Sequence, residues 1–223
     1  MDRIVQAEGE WQTAIADAIA AAERPIRVDP RIAPRDVAGQ TNSRRFERAT
    51  MPLAREAATL LLLYPDASGA LHVPLTVRHA DMRAHAGEIA LPGGAVDPTD
   101  PTLADAAMRE AWEELGVEPT SVRILGELDS FWIPVSNYEL HPFVGTAAAR
   151  PVFRPHDREV AEVFELPVEL LLDGTLLREE EIELPGLVLR AGVYRHAGQR
   201  IWGATAYTLA MFAAVLGATE GSA

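Results

Sequence analysis

An α/β fold with a mixed sheet and a helical N-terminal extension is predicted by three features of this 223-residue sequence. Apolar runs of strand length, such as 57–64 and 71–78, are bounded by Gly, Pro and Asp turn signals. Two longer segments, 102–115 and 204–216, carry apolar residues at helical spacing or as a continuous apolar block. The order of these runs lacks the strict alternation of strand and helix that a parallel sheet requires.

Within residues 3–23, rich in alanine, Ile4, Trp11, Ile15 and Ile19 recur at helical spacing and predict an amphipathic helix. Packing on the core is its simplest role, and a homodimer contact is the sharper alternative. Residues 24–50 hold several prolines and many charges, and read as an extended connector. The chain then divides into a leading segment, 1–50, and one domain, 51–223. In that domain the strands 57–64 and 71–78 are joined by the turn-rich Pro65–Gly69. Further strands are expected at 121–128, 139–146 and 159–165, then a short helix at 166–173, a hairpin within 183–195 and a closing apolar helix at 204–216. The run Glu179, Glu180 and Glu181 reads as a solvated loop.

Composition narrows the function classes. With 48% hydrophobic residues the chain can bury one substantial core. It has no cysteine, so disulfides and thiolate metal sites are excluded, and a reducing cytoplasm is the expected location. The N-terminus has no apolar core of a signal peptide, and no apolar run reaches the length of a membrane span. A net charge of −13 argues against nonspecific binding to nucleic acid or to anionic membranes. Any anionic substrate therefore needs local compensation by arginine or metal.

The most specific chemistry lies in residues 87–117. Glu110, Glu113 and Glu114 crowd one helical turn behind Arg109, so that Glu110 has both of the others as neighbours. Their repulsion calls for a counter-charge, and Mg²⁺, which prefers oxygen ligands, is the natural candidate. A solvated acidic helix face is the simpler alternative. The frame favours the metal: Gly93 and Gly94 allow backbone to approach a ligand, and Gly116 suits the left-handed end of a helix. The helix start can be capped by Asp100 with Pro101 following, or by Thr102 with Asp105 three residues on. Leu103, Ala107, Ala111 and Leu115 form the apolar stripe, widened by Met108 and Trp112.

These residues resemble the signature of the Nudix hydrolases, G-x5-E-x7-R-E-U-x-E-E-x-G-U with U a bulky aliphatic. Gly94, Arg109, Glu110, Glu113, Glu114, Gly116 and Val117 stand in matching order. Asp100 occupies the first acidic position, eight residues rather than seven separate it from Arg109, and Ala111 is smaller than usual. Upstream, Leu75, Thr76, Arg78, Arg83, Gly87, Pro92, Gly93 and Gly94 resemble the additional signature of the coenzyme A diphosphatase branch. Pro74, His79 and Leu91 depart from it, and the segment 201–212 is similar to the C-terminal segment of that branch.

The resemblance implies an α/β/α sandwich and a Mg²⁺-dependent hydrolase, with Mn²⁺ as a substitute. Its implied reaction is cleavage of coenzyme A or its derivatives to 3′,5′-ADP and 4′-phosphopantetheine. The alternatives are another nucleoside diphosphate derivative, such as ADP-ribose or a dinucleotide, and a noncatalytic module that senses a nucleotide. Glu110 and Glu114, then Glu113, are the expected metal ligands, and the resemblance adds a backbone carbonyl at Gly94. Arg109 is expected to orient a carboxylate. Arg78, Arg83 and His85, with Gly93 and Gly94, are expected to contact substrate, since an arginine fork suits phosphate oxygens. The general base is left between the signature helix and Glu159 or Glu162, whose alternative is outward-facing strand charge.

Overall fold

The computed structural model describes residues 10–36, 53–79, 88–173, 176–184 and 187–220. Arg83 and His85 lie outside the described residues, as do Ile4 and most of the connector. In chain order the elements are α1 (Glu10–Ala21), β1 (Arg35–Asp36), β2 (Arg55–Pro65), β3 (Leu71–Arg78), β4 (Ile89–Ala90), β5 (Gly93–Ala95) and α2 (Leu103–Leu115). They continue as β6 (Arg123–Glu127), β7 (Phe131–Ile133), β8 (Tyr138–Thr146), β9 (Val160–Pro167) and α3 (Glu169–Leu172). Strands β10 (Leu177–Leu184), β11 (Leu187–His196) and β12 (Gln199–Ile201) precede α4 (Gly203–Glu220). No helix among the described residues is long and apolar enough to cross a membrane.

Three layers follow from how β2 is buried. Its apolar residues run almost unbroken because both faces are covered. Ala58, Leu60, Leu62 and Tyr64 meet Ala106, Ala107, Ala111 and Leu115 of α2. Leu61 and Leu63 belong to the opposite core, with Ile15 and Ile19 of α1 and Leu209 and Phe212 of α4. The mixed sheet is thus held between α2 on one side and α1 with α4 on the other, the sandwich that the sequence implied.

The sheet is forked, and the fork positions the site. β2 and β3 pair antiparallel only at Tyr64↔His72 and Pro65↔Leu71. Beyond that point β2 runs parallel to β8 from Arg55↔Tyr138 to Leu63↔Thr146, while β3 pairs antiparallel with β9. Residues 89–95 fill the opening. Ile89 and Ala90 pair with Val77 and Thr76 of β3, and Gly93, Gly94 and Ala95 pair with Thr59, Ala58 and Ala57 of β2. Two threonines fasten this insert, Thr59 donating to the Pro92 carbonyl at 2.8 Å and Thr76 to the Ala90 carbonyl at 3.2 Å.

A second antiparallel sheet, β1-β11-β10 with β12 on β11, corrects one expectation. The hairpin begins at Leu177, so Glu179, Glu180 and Glu181 lie in a strand and not in a loop. Their charges meet arginines: Glu180 bonds Arg195 and pairs with Arg200 at 3.2 Å, and Glu181 accepts from Arg190 at 3.1 Å. The described part of the connector is docked rather than free. Arg24 donates to Asp129 at 2.6 Å, the Gly192 amide donates to the Arg31 carbonyl at 2.7 Å, and Arg35 pairs with Arg190 in register. α1 spends Trp11, Ile15 and Ile19 on this chain's own core, against β6 and α4.

Candidate metal and diphosphate site

Helix α2 is built by its ends. Of the two caps open in the sequence, Thr102 is the one used: its hydroxyl oxygen accepts the Asp105 amide at 3.1 Å. At the other end Gly116 takes φ 69° and its amide donates to the Trp112 carbonyl at 2.8 Å. The alanine stripe sinks against β2 and turns the flank bearing Glu110 and Glu114 toward β5. These two carboxylates sit one turn apart on that flank.

Arg109 organises the exposed edge of the site. Its Nε and Nη2 donate to the two oxygens of Asp100 at 2.9 and 3.0 Å, a bidentate pair. Nη1 donates to Glu110 at 2.8 Å and to Glu113 at 3.1 Å, and Nη2 also reaches the Ala95 carbonyl at 3.0 Å. Asp100 is therefore the anchor of Arg109, despite the extra residue between them. The pair holds the Asp100 carboxyl below its ordinary range, the Arg109 bonds being the largest cause. Glu113 is 54% exposed and turned toward Arg109.

Glu110 and Glu114 stand in contact with the glycine insert. A Cβ on Gly94 would lie 2.5 Å from the Glu110 carboxylate, so a larger residue there would displace that carboxylate from its present place. The Gly93 amide bonds the Glu114 carboxylate, and Arg78 Nη1, at the end of β3, lies 3.8 Å from Glu114 Oε1. Burial pushes the Glu114 carboxyl up to about 8 against the pull of Arg78, while Glu110 and Glu159 push it further in the same direction. Burial also raises Glu110, opposed by Arg109.

Glu159 is brought in by a strap that closes over the end of α2. The Arg154 amide donates to the Leu115 carbonyl at 2.7 Å, and the His156 amide to the Glu114 carbonyl at 2.9 Å. The Glu159 amide bonds the His156 carbonyl at 3.0 Å, and its own carbonyl accepts from His79 at 3.2 Å. Glu159 so held raises the proton affinity of both Glu110 and Glu114. Glu162 is a correction. A register shift opposite Val77 and Arg78 places Val160 on the α2 side, while Glu162 shares the face of Phe164 and Leu166 in the other core.

The donor set suits a hard cation. Glu114 Oε2 is buried without a hydrogen-bond partner among the described residues, and Gly94 leaves backbone beside Glu110. Among the described residues no three acidic or histidine side chains group closely enough to hold an ion by themselves. Two carboxylates with a backbone oxygen match Mg²⁺, which keeps several waters and takes substrate oxygens rather than filling an all-protein cage. Beside β5 a cleft of about 430 Å³ opens between Arg55, Glu56 and residues 95–98. The sequence did not single out Arg55, whose guanidinium lies 4.2 Å over the Tyr138 ring; only the strand register brings the two together.

A family model described as the NUDIX domain matches residues 54–185. The uncharacterized Nudix hydrolase NudL of Pectobacterium atrosepticum is 41% identical over 135 residues, 59% of this chain and 68% of its own. The protein of the same name from Citrobacter koseri is 35% identical over 173 residues, 76% of this chain and 82% of its own. Among solved structures, the Nudix hydrolase RenU of M. smegmatis aligns with a TM-score of 0.49 at 21% identity, over 76% of this chain and 88% of that one.

Proposed function

The chain belongs to the Nudix hydrolase family, and from that premise we propose that it is a coenzyme A diphosphatase yielding 3′,5′-ADP and 4′-phosphopantetheine. The single observation that carries the catalytic reading is Glu110 set against Gly94, with the Glu114 and Glu159 charges beside it. Glu110, Glu114 and the Gly94 backbone would hold Mg²⁺ or Mn²⁺, with Glu113 near the exposed edge. The ion would neutralise diphosphate oxygens and acidify water.

The chain's own groups have separate tasks. Arg109, anchored by Asp100, fixes the Glu110 carboxylate. The Gly93 amide fixes Glu114, and Arg78 offers a guanidinium fork to a phosphate oxygen. Glu159, pinned through its amide and its carbonyl, is the candidate to accept the proton of the attacking water. Arg83 and His85 remain proposed substrate contacts. Choice of coenzyme A over another diphosphate rests on the branch signature around Thr76, Arg78 and Pro92 to Gly94. Of its described residues, Thr76 and Pro92 fasten the glycine insert in the fork.

The test is a panel of coenzyme A, ADP-ribose, dinucleotides and nucleoside triphosphates, incubated with protein and Mg²⁺ and resolved by chromatography. The highest kcat/KM is expected for coenzyme A or a thioester of it. Preference for ADP-ribose would sink the substrate assignment and spare the family. Tight binding with no turnover of any compound would make the chain a sensor. Glu114→Gln is expected to lower kcat on the order of 100-fold; full activity in that variant would refute the metal site.

A further inference from the structure

We infer that Arg78 is the resident counter-charge of Glu114, displaced when a divalent cation arrives, so that its guanidinium is released to the diphosphate only once the cation is in place. The inference rests on the reading of Glu110 and Glu114 as metal ligands. The Glu114 side chain is only 5% exposed, and among the described residues the cationic group that faces it is Arg78 Nη1, 3.8 Å from Oε1. That separation is too long for a hydrogen bond, so the guanidinium stands beside the carboxyl without being bonded to it. Each also keeps an unsatisfied atom among the described residues: Arg78 Nε is buried with no acceptor there, and Glu114 Oε2 with no donor.

Such a pair is poised to exchange partners. Glu110 and Glu159 add negative charge around Glu114, against the pull of Arg78. A divalent cation bound to Glu114 would satisfy Oε2 and repel Arg78 at the same time. The backbone of Arg78 would stay fixed, because its amide donates to the Glu88 carbonyl at 3.0 Å and its strand pairs with β9. Only the side chain is then free to turn, and a diphosphate offers it the paired acceptors that Glu114 does not. Metal and diphosphate thereby favour each other's binding, as linkage requires.

The experiment is a calorimetric titration of the full chain with Mn²⁺, without substrate, on the unaltered protein, Arg78→Gln, Arg78→Lys and Glu114→Gln. Arg78→Gln is expected to bind Mn²⁺ about tenfold or more tightly than the unaltered protein, because a repelling charge is gone. Arg78→Lys, which keeps the charge, is expected to stay within about twofold of it. A residue that merely supported the fold would weaken metal binding when replaced, the opposite direction. Equal or weaker binding by a folded Arg78→Gln overturns the inference and leaves the metal site standing. If circular dichroism shows Arg78→Gln unfolded, Arg78→Met gives the same comparison. Absence of Mn²⁺ binding by the unaltered protein, or undiminished binding by Glu114→Gln, overturns the metal site and the inference with it.

Discussion

Gly94 makes the sharpest demand of any single position. Its backbone does not lie in the left-handed region, so alanine there is conformationally permitted, yet the new Cβ would meet the Glu110 carboxylate at 2.5 Å. Glu110 would have to move, and with it the proposed metal ligand pair. Gly94→Ala is therefore expected to lower kcat on the order of 100-fold or more, as displacement of a catalytic group by about 1 Å does. Its unfolding free energy in urea should change by no more than about 1 kcal/mol, because the cost falls on one side chain at the site's edge. At this scale the sequence was readable where helical spacing alone places residues on one flank, as for Glu110 and Glu114. It was not readable where two charges meet across a loop. Asp100 and Arg109 find each other only because the turn beginning at Asp97 brings the carboxylate under the guanidinium.

Among the elements, α2 and the strap that follows it stand or fall together. Gly116 ends the helix in the left-handed conformation, and a Cβ there would also lie 2.9 Å from the Arg154 Cβ. Gly116→Ala is expected to destabilise by about 1–2 kcal/mol, read from the urea midpoint, through backbone strain. It should also reduce kcat without touching a ligand, since the Leu115 and Glu114 carbonyls hold the strap that carries Glu159. Both caps of α2 were legible, because Thr102 and Gly116 have local meaning wherever a helix begins or ends. The β10 hairpin was not. Three successive glutamates look like solvated loop, and only the pairing register shows that Arg190, Arg195 and Arg200 answer them. Likewise Glu159 and Glu162 were candidates by resemblance alone, and the irregularity opposite Arg78, which the sequence does not announce, decides which face each residue of β9 takes.

For the molecule as a whole, the closed end of the fork is fastened by Glu165. It accepts from the hydroxyl of fully buried Tyr64 on β2 and from Arg150 at 2.7 Å, while lying in β9 opposite Pro74. The Arg150 bonds, the largest cause, hold the Glu165 carboxyl below its ordinary range. A carboxyl so depressed contributes stability above its unfolded value and loses that contribution as pH falls through the folded one. Glu165→Gln is expected to be less stable by about 1–3 kcal/mol at pH 7. The gap should narrow in urea titrations as pH falls below about 4. A gap that persisted unchanged in acid would refute the assignment.

The fork then has a mechanical meaning. The half carrying β2 and the glycine insert also supports α2 with its two carboxylates, while the half carrying β3 and β9 brings Arg78 and Glu159. The halves are splayed like two jaws, pinned where Tyr64 meets Glu165 and bridged at the wide end by residues 89–95, beside the proposed site. From Tyr64 to Ala58 the lever is about 20 Å long. A rotation of about 3° at the pin would swing the open end by about 1 Å, the scale of misplacement that costs on the order of 100-fold in rate. On the proposed site, reactivity would then depend on an angle fixed far from the two carboxylates.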